Sequence, residues 1–328
     1  MAQIAAITEL HNPWAFSHNM NDKLWKIRTY RPADFENYVQ LCLDTNKRDQ
    51  SGEPVSGQLI DEALGHPSFQ PQNDLMLAEA DQKLVGCVSV FLEPGIGRAL
   101  LDGLVHPLYR RKGIATDLFE HAVRYARGAG VQVAQICISE SNLAAKNMLL
   151  GLGLRFFRHF IGYQLDLATT QLPEIKSEKF VLRHLQADEA QALTDIQNRS
   201  FADTWGFNAN TSEEINYRIN SSSCTPENVI MVYLADRAVA YCWTRIFQEG
   251  DSAQGKAKGE IHMLGVDPGF RKLHIGRDVL TAGLSYLKRQ GVGTVELMAD
   301  SEMPAALALY ESAGFKKFMR AEWYQKEL

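Results

Sequence analysis

The sequence predicts an α/β protein in which one domain, a mixed sheet flanked by helices, occurs twice in tandem. Three observations carry this. The chain has 328 residues, the length of two ordinary domains. Its 45% hydrophobic and 22% charged content is that of a globular protein. Residues 104–130 and 265–291 share one pattern at a constant offset of 161, which pairs Val105 with Val266, Pro107 with Pro268, Ala115 with Gly276 and Gly153 with Gly314. The expected organisation is an N-terminal arm (1–23), a first domain (24–167), a polar linker (168–178) and a second domain (179–328).

Within the first copy, residues 75–80 and 83–91 are apolar, β-branched runs joined by a turn and read as a hairpin. Residues 100–105 form a third strand. Residues 113–127 put Leu118, Phe119, Ala122, Val123 and Ala126 on one helical face. Residues 133–138 read as a strand and 142–151 as a short helix. The second copy repeats this order. An antiparallel meander followed by β-helix-β gives a mixed sheet.

Net charge is −5, with 16 basic and 18 acidic residues before position 168 and 18 and 21 after it. Neither half carries a nucleic-acid footprint. No apolar run reaches a membrane span, and the start lacks a basic leader. Five scattered cysteines without C-x-x-C spacing fit reduced thiols in the cytoplasm, with no metal site. A monomer or weak dimer is expected.

In both copies a strand ends at Val-x-Pro, and a turn with small residues opens a helix. Such a junction aims free N–H groups and a positive helix end at one point, which suits an anion. Arg110, Arg111 and Lys112 add charge, while Gly113 and Ala115 allow close approach, so a diphosphate fits. The segment Gly250–Ala257 imitates a nucleotide-binding P-loop. It has Ala257 in place of the Mg²⁺-binding Ser or Thr and precedes a strand, so it reads as a hairpin loop.

The pattern V-x-P-x-x-[RQ]-x-x-G-x-[GA], then helix, strand and N-x-x-A-x-x-L-Y-x-x-x-G-F, resembles the GNAT acetyltransferase superfamily, in its tandem two-domain form. The segment SFADTWGF (200–207) resembles the same group. The resemblance implies a sheet splayed between the fourth and fifth strands of each domain, with acetyl-CoA in the splay and its diphosphate on the turn. It implies direct transfer of the acetyl group to a small-molecule amine, with no nucleic acid or membrane as partner. Cofactor contacts then fall on Leu104, Val105, Arg110, Arg111, Lys112, Gly113, Ile114, Ala115 and Asn142 in copy one. In copy two they fall on Leu264, Gly265, Val266, Arg271, Lys272, Leu273, His274, Ile275, Gly276 and Arg277.

The copies depart from the pattern in complementary ways. Copy one keeps the glycine turn and Asn142 but has Leu149 where the superfamily has its tyrosine. Copy two has Tyr310 but carries His274 for the glycine and Met303 for the asparagine. By period two, Glu260, His262, Leu264 and Val266 share one strand face. Glu260 occupies the place of a superfamily general base, and the offset gives Ala99 as its counterpart. Chemistry is therefore expected in copy two, with CoA held by copy one and, because a side chain at the glycine position must displace the backbone or crowd the diphosphate, more loosely by copy two. Taking a proton from an ammonium near pKa 10.4 requires Glu260 to be raised by burial, or to act through water, or through His262. Tyr310 would donate a hydrogen bond to the departing thiolate. Asp203, Trp205 and Phe207 suit a cationic amine with an apolar or sugar-like body. A second reading stays open: an acyl-CoA-binding sensor or scaffold impaired for turnover.

Overall fold

The computed structural model describes residues 24–49, 54–175, 179–247 and 257–328. The arm at 1–23 and most of the loop at 250–257 lie outside them. The first half runs β1 (Lys26–Thr29), α1 (Phe35–Asp49), α2 (Gly57–Leu64), the single turn α3 (Pro71–Asp74), β2 (Leu75–Ala80), β3 (Lys83–Glu93), β4 (Arg98–Val105), α4 (Ile114–Gly128), β5 (Val133–Ser139), α5 (Leu143–Gly151) and β6 (Arg155–Asp166). The second runs β7 (Val181–His184), α6 (Ala190–Phe201), α7 (Ser212–Arg218), β8 (Val229–Leu234), β9 (Arg237–Phe247), β10 (Lys258–Val266), α8 (Ile275–Arg289), β11 (Thr294–Asp300), α9 (Pro304–Ser312) and β12 (Lys316–Glu327). The 161-residue offset relates α4 to α8, β5 to β11, α5 to α9 and β6 to β12 residue for residue.

One mixed sheet of 12 strands crosses both halves in the order β1-β2-β3-β4-β5-β12-β6-β11-β10-β9-β8-β7. The last strand of each half is exchanged. β6 lies against β11 of the second half, β12 lies against β5 of the first, and the two pair with each other at the centre. Both are 12 residues long and follow a left-handed glycine, Gly153 or Gly314, that reverses the chain after α5 or α9.

Helices cover both faces. α4 buries Leu118, Phe119, Ala122, Val123 and Ala126 against β2 to β5, the stripe the sequence predicts. α8 does the same through Val279, Leu280, Leu284 and Leu287. On the opposite face α1 covers the first half and α6 with α7 cover the second. No helix among the described residues is long and apolar enough to cross a membrane.

Candidate active site

Each half opens a gap in the sheet. β4 pairs with β5 only as far as Leu101↔Ile136, and β10 pairs with β11 only as far as Glu260↔Glu296. Beyond those pairs the parallel strands diverge, and the strand ends carrying Leu104–Val105 and Leu264–Val266 lead to the turns.

The two turns have nearly the same backbone. Arg110 and Arg271 are extended, Arg111 (φ 62°) and Lys272 (φ 65°) are left-handed, and so are Gly113 (φ 94°) and His274 (φ 62°) just before α4 and α8. Alternating left-handed residues ahead of a helix N-terminus turn successive N–H groups toward one side, an anion-binding nest. The turns thus fit the diphosphate of CoA. The sequence reading expected His274 to displace this backbone or crowd the anion. The backbone is not displaced, and a Cβ on Gly113 would meet nothing nearer than the Trp25 ring at 3.7 Å. His274 also bears the ordinary cost of a left-handed side chain, about 1–2 kcal/mol.

The arginine of the motif pins the turn to its strand. Arg110 Nε donates to Val105 O at 2.9 Å, and Arg271 Nε to Val266 O at 3.3 Å. The guanidinium of Arg110 is also held by Asp49, so it is not the free cation expected. Arg271 instead donates to Ser200 O at 2.8 Å and keeps its charge unpaired by any carboxylate among the described residues. Lys112 lies 5.0 Å over the Tyr109 ring. Beside the second turn lies an open surface groove, with Leu273, His274, Arg277 and Asp278 on one wall and Glu174, Lys179 and Phe180 on the other. Ile275 is buried in the core, and a Cβ on Gly276 would meet Val266 and Leu309 at ordinary contact distances. Asn142 caps α5, its Oδ1 accepting from Ala145 N at 3.1 Å, so its side chain is already engaged locally. Met303 gives α9 no such cap.

β10 is not regular. Ile261 pairs with Thr244 and Met263 with Trp243, so His262 is an extra residue, a β-bulge. A Cβ on Gly259 would meet Val292 and Leu287 on the α8 face, while one on Gly265 would meet Tyr241 and Ser200 on the α6 face. Residues six apart in a regular strand point the same way, so the bulge reverses the parity. The expected common face of Glu260, His262, Leu264 and Val266 is therefore split. Leu264 and Val266 pack with α8, whereas His262 stands on the α6 face with its ring 5.0 Å from Trp243. The bulge also moves the counterpart of Glu260. Glu260 lies opposite Arg245, and the residue so placed in the first half is Leu100, opposite Phe91, not the buried Ala99.

Glu260 Oε1 lies 3.7 Å from His262 Nδ1. Burial opposes ionisation of Glu260, but the close polar approach of His262 and the charges of His262, Arg245 and Lys258 hold its carboxyl below the ordinary range. Burial, and then Arg245, lower His262 against the pull of Glu260. A carboxyl raised by burial, one of the three expected routes, is thus not what the site contains.

Tyr310 approaches from the other face. On α9 it is buried beside Tyr163 of the exchanged β6, with ring centroids 6.2 Å apart. Burial, then the neighbouring Cys242, push its phenol well above the ordinary value, so it remains a proton donor. The loop after α6 docks on the first half. Trp205 lies over the Arg158 guanidinium at 4.4 Å and beside Phe157 at 5.0 Å, and is 37% exposed. Arg98 donates to Gly206 O at 2.7 Å. Phe207 stacks on Phe201, and Asp203 is exposed in the same loop. Arg218 and Arg245, on the α6 and α7 face near Glu260, were not singled out in the sequence, since no motif spacing joins them.

The family model described as the acetyltransferase (GNAT) family matches residues 38–154 and 190–315. Among curated relatives, a mycothiol acetyltransferase of Nocardia farcinica is 30% identical over 80% of this chain and 84% of its own. One from Stackebrandtia nassauensis is 29% identical over 80% and 86%. Among solved structures, a GCN5-related N-acetyltransferase from Sphaerobacter thermophilus superposes with a TM-score of 0.70 at 21% identity, covering 93% of this chain and 96% of its own. A tandem GNAT protein from the clavulanic acid biosynthesis pathway gives 0.71 at 16% identity, over 92% and 98%. With both halves matched and the tandem fold shared, this chain belongs to the acetyltransferase (GNAT) family of enzymes.

Proposed function

We propose that this enzyme transfers acetyl from acetyl-CoA to a primary amine of a small molecule, with the chemistry in the second half. The observation that carries the reading is the arrangement around β10. Glu260 and His262 stand on one face at the mouth of the splay and Tyr310 on the other, and the first half has Leu100 and Leu149 instead. Acetyl-CoA supplies an activated thioester. The amine attacks the thioester carbon, the C–N bond forms, and the C–S bond breaks with the electron pair leaving on sulfur. The amine proton passes to Glu260 or His262 by way of a water, since neither is raised toward the amine. Tyr310 donates a hydrogen bond to the departing sulfur. A backbone N–H of β10 near Leu264 to Val266, beyond the last pair with β11, would serve the developing oxyanion. Coenzyme A would sit on the Arg110–Ala115 and Arg271–Arg277 turns. Asp203, Trp205 and Phe207 would meet the acceptor, and the compound for which the relatives are named gives the first acceptor class to try.

The experiment is thiol release from acetyl-CoA with a panel of small amines. Release that requires an amine and is lost in Glu260→Gln supports the proposal. Tight CoA binding without release from any amine supports the sensor or scaffold reading instead, which the leucines of the first half favour for that half.

A further inference from the structure

Between the halves, on the acceptor side of Glu260 and His262, lie two arginines that the preceding mechanism does not use. Arg245 is the cross-strand neighbour of Glu260, and its Nε is buried with no hydrogen-bond partner among the described residues. Arg218, on the last turn of α7, donates to Asn210 Oδ1 at 2.9 Å and faces His66 Nε2 from its Nε at 3.2 Å. His66 comes from the first half, and its Nδ1 also accepts, from Ser68 N at 3.2 Å. A neutral imidazole has one acceptor nitrogen and one N–H, so it cannot accept at both positions. If Nδ1 keeps the Ser68 bond, Nε2 carries hydrogen and Arg218 Nε has no acceptor there.

Neither arginine forms an ion pair among the described residues. Glu260 faces Arg245 across the strand without a hydrogen bond to it, and the other nearby carboxylates are engaged elsewhere. Glu93 is paired with Arg98, and Glu214 is taken by Ser68 and by the Thr211 backbone and hydroxyl. Burial lowers the Arg218 guanidinium. Glu214 opposes that, Arg245 adds to it, and Glu93 opposes it again. Two like charges are thus held side by side, partly buried, with Glu260 across the strand from Arg245 as a counter-charge but hydrogen-bonded to neither, so that a second anion would complete the pair. Arginine presents a planar fork that matches carboxylate and phosphate oxygens.

We propose that Arg218 and Arg245 form a subsite for an anionic group, carboxylate or phosphate, on the acceptor, so that the enzyme acetylates amines that also carry a negative charge. This rests on the acetyltransferase reading of the same site. Because Arg245 and Glu260 are direct cross-strand neighbours, with Cβ atoms about 4.5–5.5 Å apart in such pairs, amine and anion belong to one small acceptor and are separated by a few bonds.

The test has two arms. In the first, the protein is saturated with CoA to fill the turns and titrated with propionate or methylphosphonate against chloride at fixed ionic strength. A saturable rise in melting temperature, lost in Arg218→Gln and Arg245→Gln, supports the subsite, and the more effective probe identifies carboxylate or phosphate. An equal rise in wild type and variants overturns it. Arg245→Met guards against misfolding. It should melt close to the wild-type temperature without anion, because only its unbonded attraction to Glu260 is lost, and a large fall in melting temperature would assign Arg245 a structural role and overturn the proposal. In the second arm, thiol release is compared for β-alanine against propylamine and phosphoethanolamine against ethanolamine. The charged member of one pair should be preferred by about 10–100-fold in kcat/KM, the worth of hydrogen bonds to a charged group. Equal rates within both pairs overturn the subsite. No release from any amine overturns the acetyltransferase reading and leaves the anion titration to decide the subsite.

Discussion

β4 and β10 are copies of one strand, and they differ by a single residue. β4 runs straight, with Ala99, Leu101 and Val105 all on the α4 face. β10 carries one extra residue at His262, and its two ends point to opposite faces. In the straight strand the residue in the place of Glu260 is Leu100, one residue before the last pair with β5. The bulged strand has Glu260 there, with His262 beside it. The bulge therefore brings a second polar group next to Glu260 on the face where an acceptor would enter. The turns below the strands differ in the other direction. Their backbones match, but the first is glycine-based with its arginine paired to Asp49, and the second is strained at His274 with its arginine unpaired. Duplication preserved the cradle in both halves and let the reactive groups and the charge diverge.

The sharpest way to break this comparison is Glu260→Gln, which keeps the shape and removes the basicity. Thiol release should fall by about 10²–10⁴-fold. Leu100→Gln, at the true counterpart, should leave release within a fewfold of wild type. If both variants behave alike, chemistry is not confined to the second half. A pH profile refines the same point. Glu260 and His262 are both held below their ordinary values of 4.5 and 6.5, so both are already unprotonated at neutral pH. Above pH 6.5, kcat/KM should rise with the neutral fraction of the amine, and a plateau at neutral pH would show a raised base instead. The linked stability has a defined sign. The lowered His262 contributes stability that is present above pH 6.5 and is lost as pH falls through its folded value, so the urea midpoint should fall more between pH 7 and pH 5 in wild type than in His262→Phe.

Next in size is Tyr310→Phe. Its hydroxyl makes no hydrogen bond to the described residues, so CoA affinity and melting temperature should hold while kcat falls by about 10–100-fold. A changed CoA dissociation constant with unchanged kcat would move Tyr310 to the core. Smaller still are the turns. His274→Gly should stabilise the protein, and Gly113→His destabilise it, each by about 1 kcal/mol in urea unfolding, because both positions are left-handed and neither is crowded. Opposite signs at the two sites would confirm that the backbones are equivalent. The smallest effect expected is from Asp49→Asn, which releases Arg110. Calorimetry should show CoA binding at the first turn tightened by about twofold to fivefold, the scale of an exposed ion pair.

The repeat made much of this molecule legible. The Val-x-Pro turns, α4, α8 and the short helices after β5 and β11 follow from one offset and one apolar period. The bulge did not, because it leaves the offset intact downstream of His262 and changes it only upstream, where Gly259 and Glu260 offer no motif to reveal a slip. The exchange of β6 and β12 was equally hidden. The two strands are equal in length and similar in pattern, so either would satisfy the same neighbours on local chemistry. Arg218, Arg245 and His66 escaped notice for a different reason. They come from a helix, a strand and a loop that meet only when the halves dock, and charged residues far apart in sequence read as solvated surface.

The exchanged strands set the order in which this chain can finish folding. β5 leaves the ribosome long before β12, its neighbour in the sheet. The side chains of Gln135 and Gln325, hydrogen-bonded across that seam, are 190 residues apart. Until β12 emerges, the first half has an open edge along β5, and β6 waits for β11, itself late in synthesis. Closure of the central seam is thus a single late event of high contact order, slow relative to local hairpins and exposed to wrong partners while it waits. A ribosome that stops after β11 and before Lys316 releases two incomplete sheets instead of one good domain and one damaged one.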